Sequence, residues 1–449
     1  MADITALDYI LLPFYLIIIF KIAYNVRNKY YPENHPFKPY FIPALIAKIA
    51  GSIFIGLIYA YYYNGGDTFN FFFVTKLINS TFIDTPDSWF RLITHNINEN
   101  NITDQKIVSS MFWYDDTPSY TTACIGAIIG LFCFTKYLII NSIIAVISFI
   151  GSWLMFIAFA KQYKSITMYI AIAILFMPGP LVWGSGLFKD SFCMFSIGCL
   201  VYIFYVLFEE RRFKFSLVIL CLTAVTLLLL IKAYILVVLL PTLVIKTILS
   251  FKKKAIEQKK QLMFYFVLFI FYLIVSFAIQ RAASYLSTFS TASVLQTVKK
   301  QKDYLLNKSL DEDGSAYDLG DFEPSVKGIA KMIVPAINVA LFRPYPWESK
   351  SIVQLFNSLE STTVLLLTLF LLVRRNIFIT INNIYKDPNL IMCLFFSLLF
   401  AFIVGVSSYN FGSLSRYKIP CTPFYMLFLM ILIFNNQTKD PVTPAIDHQ

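Results

Sequence analysis

Apolar residues run along this chain in blocks, and the blocks set its architecture before any motif does. About eleven of them are predicted as transmembrane α-helices, near 7–24, 41–63, 137–160, 166–178, 191–208, 217–231, 234–249, 262–279, 362–373, 390–406 and 422–434. Many approach the roughly 20 residues that cross the hydrocarbon layer. They are continuous rather than alternating, which fits helices and not a membrane barrel, since in lipid each backbone polar group needs a partner within its own segment. The predicted fold is therefore all-α, a polytopic bundle forming one integral membrane domain over residues 1–449. Two long polar stretches interrupt it, at 64–136 and 281–358. Within the first, 123–134 is apolar but short for a span, and reads as an interfacial or re-entrant helix. Asp3 and Asp8 precede the first run and no small-residue cleavage site is visible, so that run reads as a retained helix.

Composition supports the pattern: 58% of residues are hydrophobic and 14% charged, against about 25% charged in a soluble domain. The formal charge of +11 would suit nucleic acid if the bases formed a stripe. They do not. Folding the chain alternately across a bilayer puts Arg27/Lys29/Lys38, Lys161/Lys164, Arg211/Arg212/Lys214, the 252–260 lysines and Arg374/Arg375/Lys386 on one side. By the positive-inside rule that side is the cytoplasm, the N-terminus is outside, the C-terminus inside, and both long polar stretches are external. The partner implied is a lipid bilayer, not a nucleic acid. The seven cysteines lie in or beside apolar blocks without a CxxC pair, and read as packing residues.

Ionisable groups at membrane depth are costly and tend to face a cavity or a partner. Four clusters on the external side stand out. Asn64-Gly65-Gly66-Asp67 places an acid after a flexible turn at the water–lipid boundary, suited either to base chemistry or to capping the next helix. Trp183-Gly184-Ser185-Gly186-Leu187-Phe188-Lys189-Asp190 opens a helix, where free N–H groups and Lys189 suit an anion, or a simple capping turn with a Lys–Asp pair. Arg343-Pro344-Tyr345-Pro346-Trp347-Glu348 offers a rigid fork of donors beside two rings able to stack on a sugar, or an interfacial anchor. Gly412 to Pro420 carries Arg416 and Lys418 in a short external loop, against the charge rule; they bind an anion or snorkel to the headgroups.

Other features carry less. Asp115-Asp116 reads as a divalent-cation site or, more simply, an exposed acidic turn. Lys232, at the tip of a helical hairpin, reads as snorkelling. The three histidines, His35, His95 and His448, have no zinc-ligand spacing, so no metal site is assigned. The charged 299–323 segment reads as a solvated loop, no phosphate-binding loop of the Walker type occurs, and no fixed-period repeat is visible.

Taken together, an acid after an early span, a polar external loop and Arg416-Tyr417-Lys418 followed by Pro420 and Pro423 resemble polytopic glycosyltransferases that use lipid-phosphosugars, and bacterial O-antigen or exopolysaccharide repeat-unit polymerases. Gly186-Leu187-Phe188-Lys189-Asp190 is similar to the Lys-Asp/Glu element that opens a middle helix in such polymerases. One departure is that the acid in the glycosyltransferases follows the first span as an acidic pair, whereas Asp67 follows the second and is next to Thr68. The resemblance implies sugar transfer from a polyprenyl-phosphate-linked donor to a glycan acceptor on the outer face of the cell inner (cytoplasmic) membrane. It implies Asp67 as catalytic base, Lys189, Arg343, Arg416 and Lys418 on the donor phosphate, and Tyr345 and Trp347 at the sugar; it fixes no cofactor and leaves the use of a divalent cation open. The rivals are a transporter or flippase of a lipid-linked or anionic substrate, and a non-catalytic assembly subunit.

Overall fold

The structure is a computed structural model that describes residues 4–252, 317–320 and 326–435. Among the described residues the regular structure is helical, with no β-strand. The chain is a multi-pass membrane protein. Among the described residues seven helices are long and apolar enough to cross a bilayer, or eight if one pair bent by 67° counts as a single span.

Five of the seven lie within residues 4–252: α1 (Ala6–Tyr30), α2 (Lys38–Leu57, prolonged by a π-turn, Ile58–Tyr62), α7 (Tyr137–Ala160), α10 (Lys189–Phe204, prolonged by Tyr205–Glu209) and α12 (Ala233–Lys252). Two follow later, α14 (Ile352–Arg374) and α16 (Pro388–Ser408). The bent pair is α17 (Phe411–Tyr417) with α18 (Thr422–Phe434). α10 is the axis of the bundle, with 89% of its most apolar window buried, whereas α1 buries 11% and presents its apolar face outward. α10 lies directly against α7, backbone to backbone. A Cβ on Gly198 would sit 1.9 Å from the Gly151 carbonyl oxygen, so only glycine permits that separation.

The count of about eleven spans is not reproduced, and the differences have physical reasons. The runs expected at 166–178 and 217–231 form α8 (Thr167–Leu175, 9 residues) and α11 (Phe215–Ile231, 17 residues). α8 stops where Pro178 and Pro180 remove backbone donors, and the chain re-forms only as the single turn α9 (Pro178–Val182). The run expected at 422–434 is the 13-residue limb of the bent pair. The run at 262–279, most of the 299–323 segment and His448 lie outside the described residues. α14 begins ten residues ahead of the expected 362, inside the stretch assigned to a loop, because its first turns are polar yet buried: Asn357, Ser358, Glu360 and Ser361 all face protein.

The 64–136 stretch is a small helical unit: α3 (Asp67–Ser80), α4 (Pro86–Ile93), α5 (Ile102–Ser109) and α6 (Thr117–Leu131). They enclose a separate core of Val74, Ile78, Leu92, Tyr120, Ala123 and Ala127. Arg91 closes it with a pair of hydrogen bonds to the buried Asp104, at 2.7 and 3.1 Å. Two helices complete the described chain, α13 (Val326–Phe342) and α15 (Ile377–Lys386). α15 buries Thr380 and Asn383 and exposes Phe378 and Tyr385, the reverse of a soluble helix and suited to lying at a lipid boundary.

Polar contacts show which chain turns share an end of the bundle. Lys161 pairs with Glu210 at 2.6 Å, Tyr163 donates to Asp387 at 2.6 Å, and Arg375 donates to the Ile433 carbonyl at 2.8 Å. The basic turns after α7, α10 and α14 are thus gathered at one end. The starts of α3, α10 and α12, and α17, meet at the opposite end.

Candidate functional site

That second end holds an open cavity of about 1030 Å³, at the upper limit for a small-molecule site. Its charged lining comes from Asp67, Asp116, Lys189, Asp190, Lys232 and Arg416, and its hydroxyls include Ser119, Ser407, Ser408 and Ser413. Five separate helix starts, breaks or turns deliver these groups, and in each case the local sequence shows why.

Asp67 is the first residue of α3. Gly65 and Gly66 before it adopt φ of +141° and +112°, which only glycine takes without strain, and so turn the chain sharply from α2 into α3. Arg416 lies on α17, the short helix between α16 and α18. Its Nη1 donates to Asp67 Oδ2 at 2.7 Å, and its guanidinium stands 5.2 Å from the Phe188 ring and 5.9 Å from Trp183. Its Nε is 3.7 Å from Oδ2 of Asp190. Asp190, in the first turn of α10, is fully buried, and its Oδ1 accepts from Nζ of Lys232, which sits in the break between α11 and α12. An alternating chain of charge results: Asp67, Arg416, Asp190, Lys232. Alongside, Lys189 pairs with Asp116 at 3.3 Å. Burial acts to raise the Asp116 carboxyl, but the Ser119 hydrogen bond and the Lys189 charge outweigh it and hold the carboxyl below its usual range.

The position of Lys189 and Asp190 depends on the irregular segment between α8 and α10, and polar side chains from three spans secure it. Lys48 of α2 donates to the Pro180 carbonyl at 2.7 Å, and Ser148 of α7 donates to the Gly184 carbonyl at 2.6 Å. The Asn141 carboxamide oxygen accepts from the Leu187 N–H at 2.8 Å. From α14, Glu360 accepts from the Gly179 N–H and Asn357 from the Trp183 indole. Backbone that breaks its helix among spans requires such replacement partners. Beside this segment an apolar groove of about 390 Å³ runs between α2 and α14, lined by Gly51, Phe54, Leu181, Val353 and Phe356, and reaches Trp183.

Of the residues singled out in the sequence, Asp67, Lys189 and Arg416 share the cavity. Arg343, Tyr345, Trp347 and Lys418 do not line it. They form a second cluster on the other side of α17. Arg343 Nε donates to both carboxylate oxygens of Glu348, at 3.0 and 3.1 Å, and its guanidinium lies 5.1 Å from the Phe411 ring. Burial acts to raise the Glu348 carboxyl, and the Arg343 bonds more than offset it, leaving it below its usual range. Tyr345 stacks on Trp347 at 4.9 Å, with Trp347 80% exposed. Lys418 is buried and donates to Ser361 Oγ at 2.6 Å and to the Arg343 carbonyl at 3.1 Å. It serves the junction of α13, α14 and α17.

Lys232 reads from the sequence as snorkelling at a hairpin tip, yet it is buried against Asp190. Asp116 caps α6 and meets Lys189, and among the described residues no group of three histidines, cysteines or acids is placed to hold a metal ion. Lys48 lies within an apolar block and carries the one signal that would have marked it, an ionisable side chain inside a span, whereas Glu360 lies ahead of the block expected at 362–373. All seven cysteines are free thiols. No family model, no curated protein and no solved structure matches this chain.

Proposed function

We propose that this protein transfers a sugar or oligosaccharide from a polyprenyl-linked phosphate donor to a glycan acceptor, on the outer face of the cytoplasmic membrane, in assembly of a surface glycan. The observation that carries the reading is the meeting of Asp67 with Arg416, beside Lys189, in one large hydroxyl-lined cavity. A carboxylate and a set of fixed cations in a single cavity are the two requirements of glycosyl transfer from a phosphate. Asp67 accepts the proton of an acceptor hydroxyl, whose oxygen forms the new bond to the anomeric carbon. The bond from that carbon to the donor phosphate oxygen breaks, and the phosphate leaves with the electron pair, its charge met by Arg416 and Lys189.

The remaining features fit around this step. The apolar groove at Trp183 suits an isoprenoid chain, and it brings that chain's phosphate end toward Arg416, 5.9 Å from the Trp183 ring. With the basic end of the bundle in the cytoplasm, as the charge rule requires, the cavity opens outward. Arg343, Tyr345 and Trp347 stand beyond α17, where the exposed indole suits a longer glycan approaching the cavity.

The test is made in cells and with the purified protein. Asp67→Asn and Arg416→Ala, expressed at the level of the unaltered chain, should each lower surface glycan by at least about a hundredfold. The detergent-solubilised protein should also turn over an added short-chain donor, which a transporter would leave unchanged. Normal glycan in both variants removes the reading.

A further inference from the structure

Two atoms in the wall of the cavity are buried without a hydrogen-bond partner, and they face each other: Nε of Arg416 and Oδ2 of Asp190. They stand 3.7 Å apart, just beyond hydrogen-bond range. The same guanidinium is already committed elsewhere, through Nη1 to Asp67 at 2.7 Å. Arg416 therefore lies between two carboxylates, bonded to one and a short step from the other. The two differ in surroundings. The Asp67 side chain is 47% exposed and that of Asp190 is fully buried. Lys232 occupies Oδ1 of Asp190, which leaves Oδ2 as the acceptor that points at Arg416.

We infer that the Asp67–Arg416 pair is a latch which an anionic donor displaces, with Asp190 as the arginine's second station, so that Asp67 becomes an active base only once the donor's phosphate is in place. The inference rests on the transfer reading above and adds an order to it: donor first, acceptor second. The physical basis is competition for one guanidinium. The donor's phosphate offers anionic oxygens whose geometry matches the arginine fork, and a diphosphate linkage carries two charges where a carboxylate carries one. The half-exposed Asp67 holds its partner through solvent-screened attraction, which is weak. Asp190 is held in place by Lys232, so a movement of the guanidinium of under about 1 Å closes the bond between Nε and Oδ2. The rings of Phe188 and Trp183, 5.2 and 5.9 Å from the guanidinium, keep contact with the cation during the step. While Asp67 accepts from Arg416 its Oδ2 is engaged, and that oxygen does not take the proton of an acceptor hydroxyl or water. Donor binding removes that restraint.

The experiment measures binding, not turnover, by calorimetry on the full-length protein in detergent with geranyl diphosphate as probe. Asp67→Asn keeps the side-chain shape and weakens the latch, so its Kd should be about tenfold lower than that of the unaltered protein. Asp190→Asn removes the second station and should raise Kd about tenfold, and Arg416→Gln should abolish binding. Should Asp190→Asn not elute as a single folded species, the Asp67→Asn measurement decides alone. An unchanged or higher Kd in Asp67→Asn, with binding still lost in Arg416→Gln, overturns the latch and leaves the transfer reading standing. Absence of binding in both the unaltered protein and Asp67→Asn overturns the anion site on which both depend.

Discussion

Lys48, in the middle of α2, reaches across the bundle to the carbonyl oxygen of Pro180 at 2.7 Å. The two residues explain each other. Pro178 and Pro180 end α8, and α9 runs only from Pro178 to Val182, so the Pro180 carbonyl lies at a helix end with no following turn to supply its N–H. A lysine inside a span is expensive unless it meets such a group. The contact holds the segment that carries Trp183, Lys189 and Asp190 to the cavity, so a side chain within one span sets the geometry of the site.

If that contact matters, Lys48→Met should destabilise the protein by on the order of 1–3 kcal/mol, the cost of a buried carbonyl left unmet. Among the described residues no carboxylate pairs with Lys48, so no charge is orphaned by the change. Thermal unfolding of the detergent-solubilised protein reads the effect as a lowered melting temperature. Glycan transfer should fall with it, because Lys189 and Asp190 lose their placement. A melting temperature equal to that of the unaltered chain would show that α9 does not depend on Lys48.

The α3–α6 unit makes a separate prediction about acid. Hydrogen bonds from Arg91 chiefly, against the effect of burial and with help from the Asn98 N–H, hold the Asp104 carboxyl down to about 2. Its folded value is thus below the roughly 3.9 of an unfolded chain. Ionised Asp104 therefore contributes stability that is complete above about pH 4 and is lost as pH falls from 4 toward 2. Fluorescence of Trp89, on α4, should report loosening of this unit over that window in the unaltered protein. Asp104→Asn should loosen it at pH 7 and remove the acid limb of the curve. An acid limb that persists in Asp104→Asn would assign the effect to another carboxylate.

These contacts also show which parts of the molecule could be read from sequence. The seven full-length apolar helices were legible because hydropathy measures the property that places a helix in lipid. Hydropathy puts the start of α14 too late, because Asn357 and Glu360 face protein rather than lipid and a polar sequence there still forms buried helix. Hydropathy also gives α8 the look of a span, though a proline pair cuts it to 9 residues. In the cavity, Asp67, Lys189 and Arg416 stood out as charges beside glycine-rich breaks. Lys232 did not, because its partner Asp190 is 42 residues away and nothing near either one announces the other. Arg343 and Lys418 had the chemistry of phosphate ligands, but Glu348 and Ser361 already engage their side chains.

The buried pair of Lys232 and Asp190 allows stability and activity to be separated. Neither side chain is exposed beyond 8%, so each depends on the other to offset the loss of water. Lys232→Met leaves Asp190 charged and buried, with Arg416 at 3.7 Å as its nearest remaining cation. A loss on the order of 3–5 kcal/mol is expected, as when one partner of a buried pair is removed. Lys232→Met with Asp190→Leu removes both charges and should recover most of that loss, since an apolar pair of similar volume is often as stable as the ion pair it replaces. Transfer should not recover, because Arg416 then has no carboxylate behind it and Asp67 retains its hold. Melting temperature and surface glycan, measured on the single and the double variant together, distinguish the two roles. A double variant that regains both would make the pair structural only. A single variant as stable as the parent would mean that water reaches the pair, and the cavity floor would then be wetter than these side chains imply.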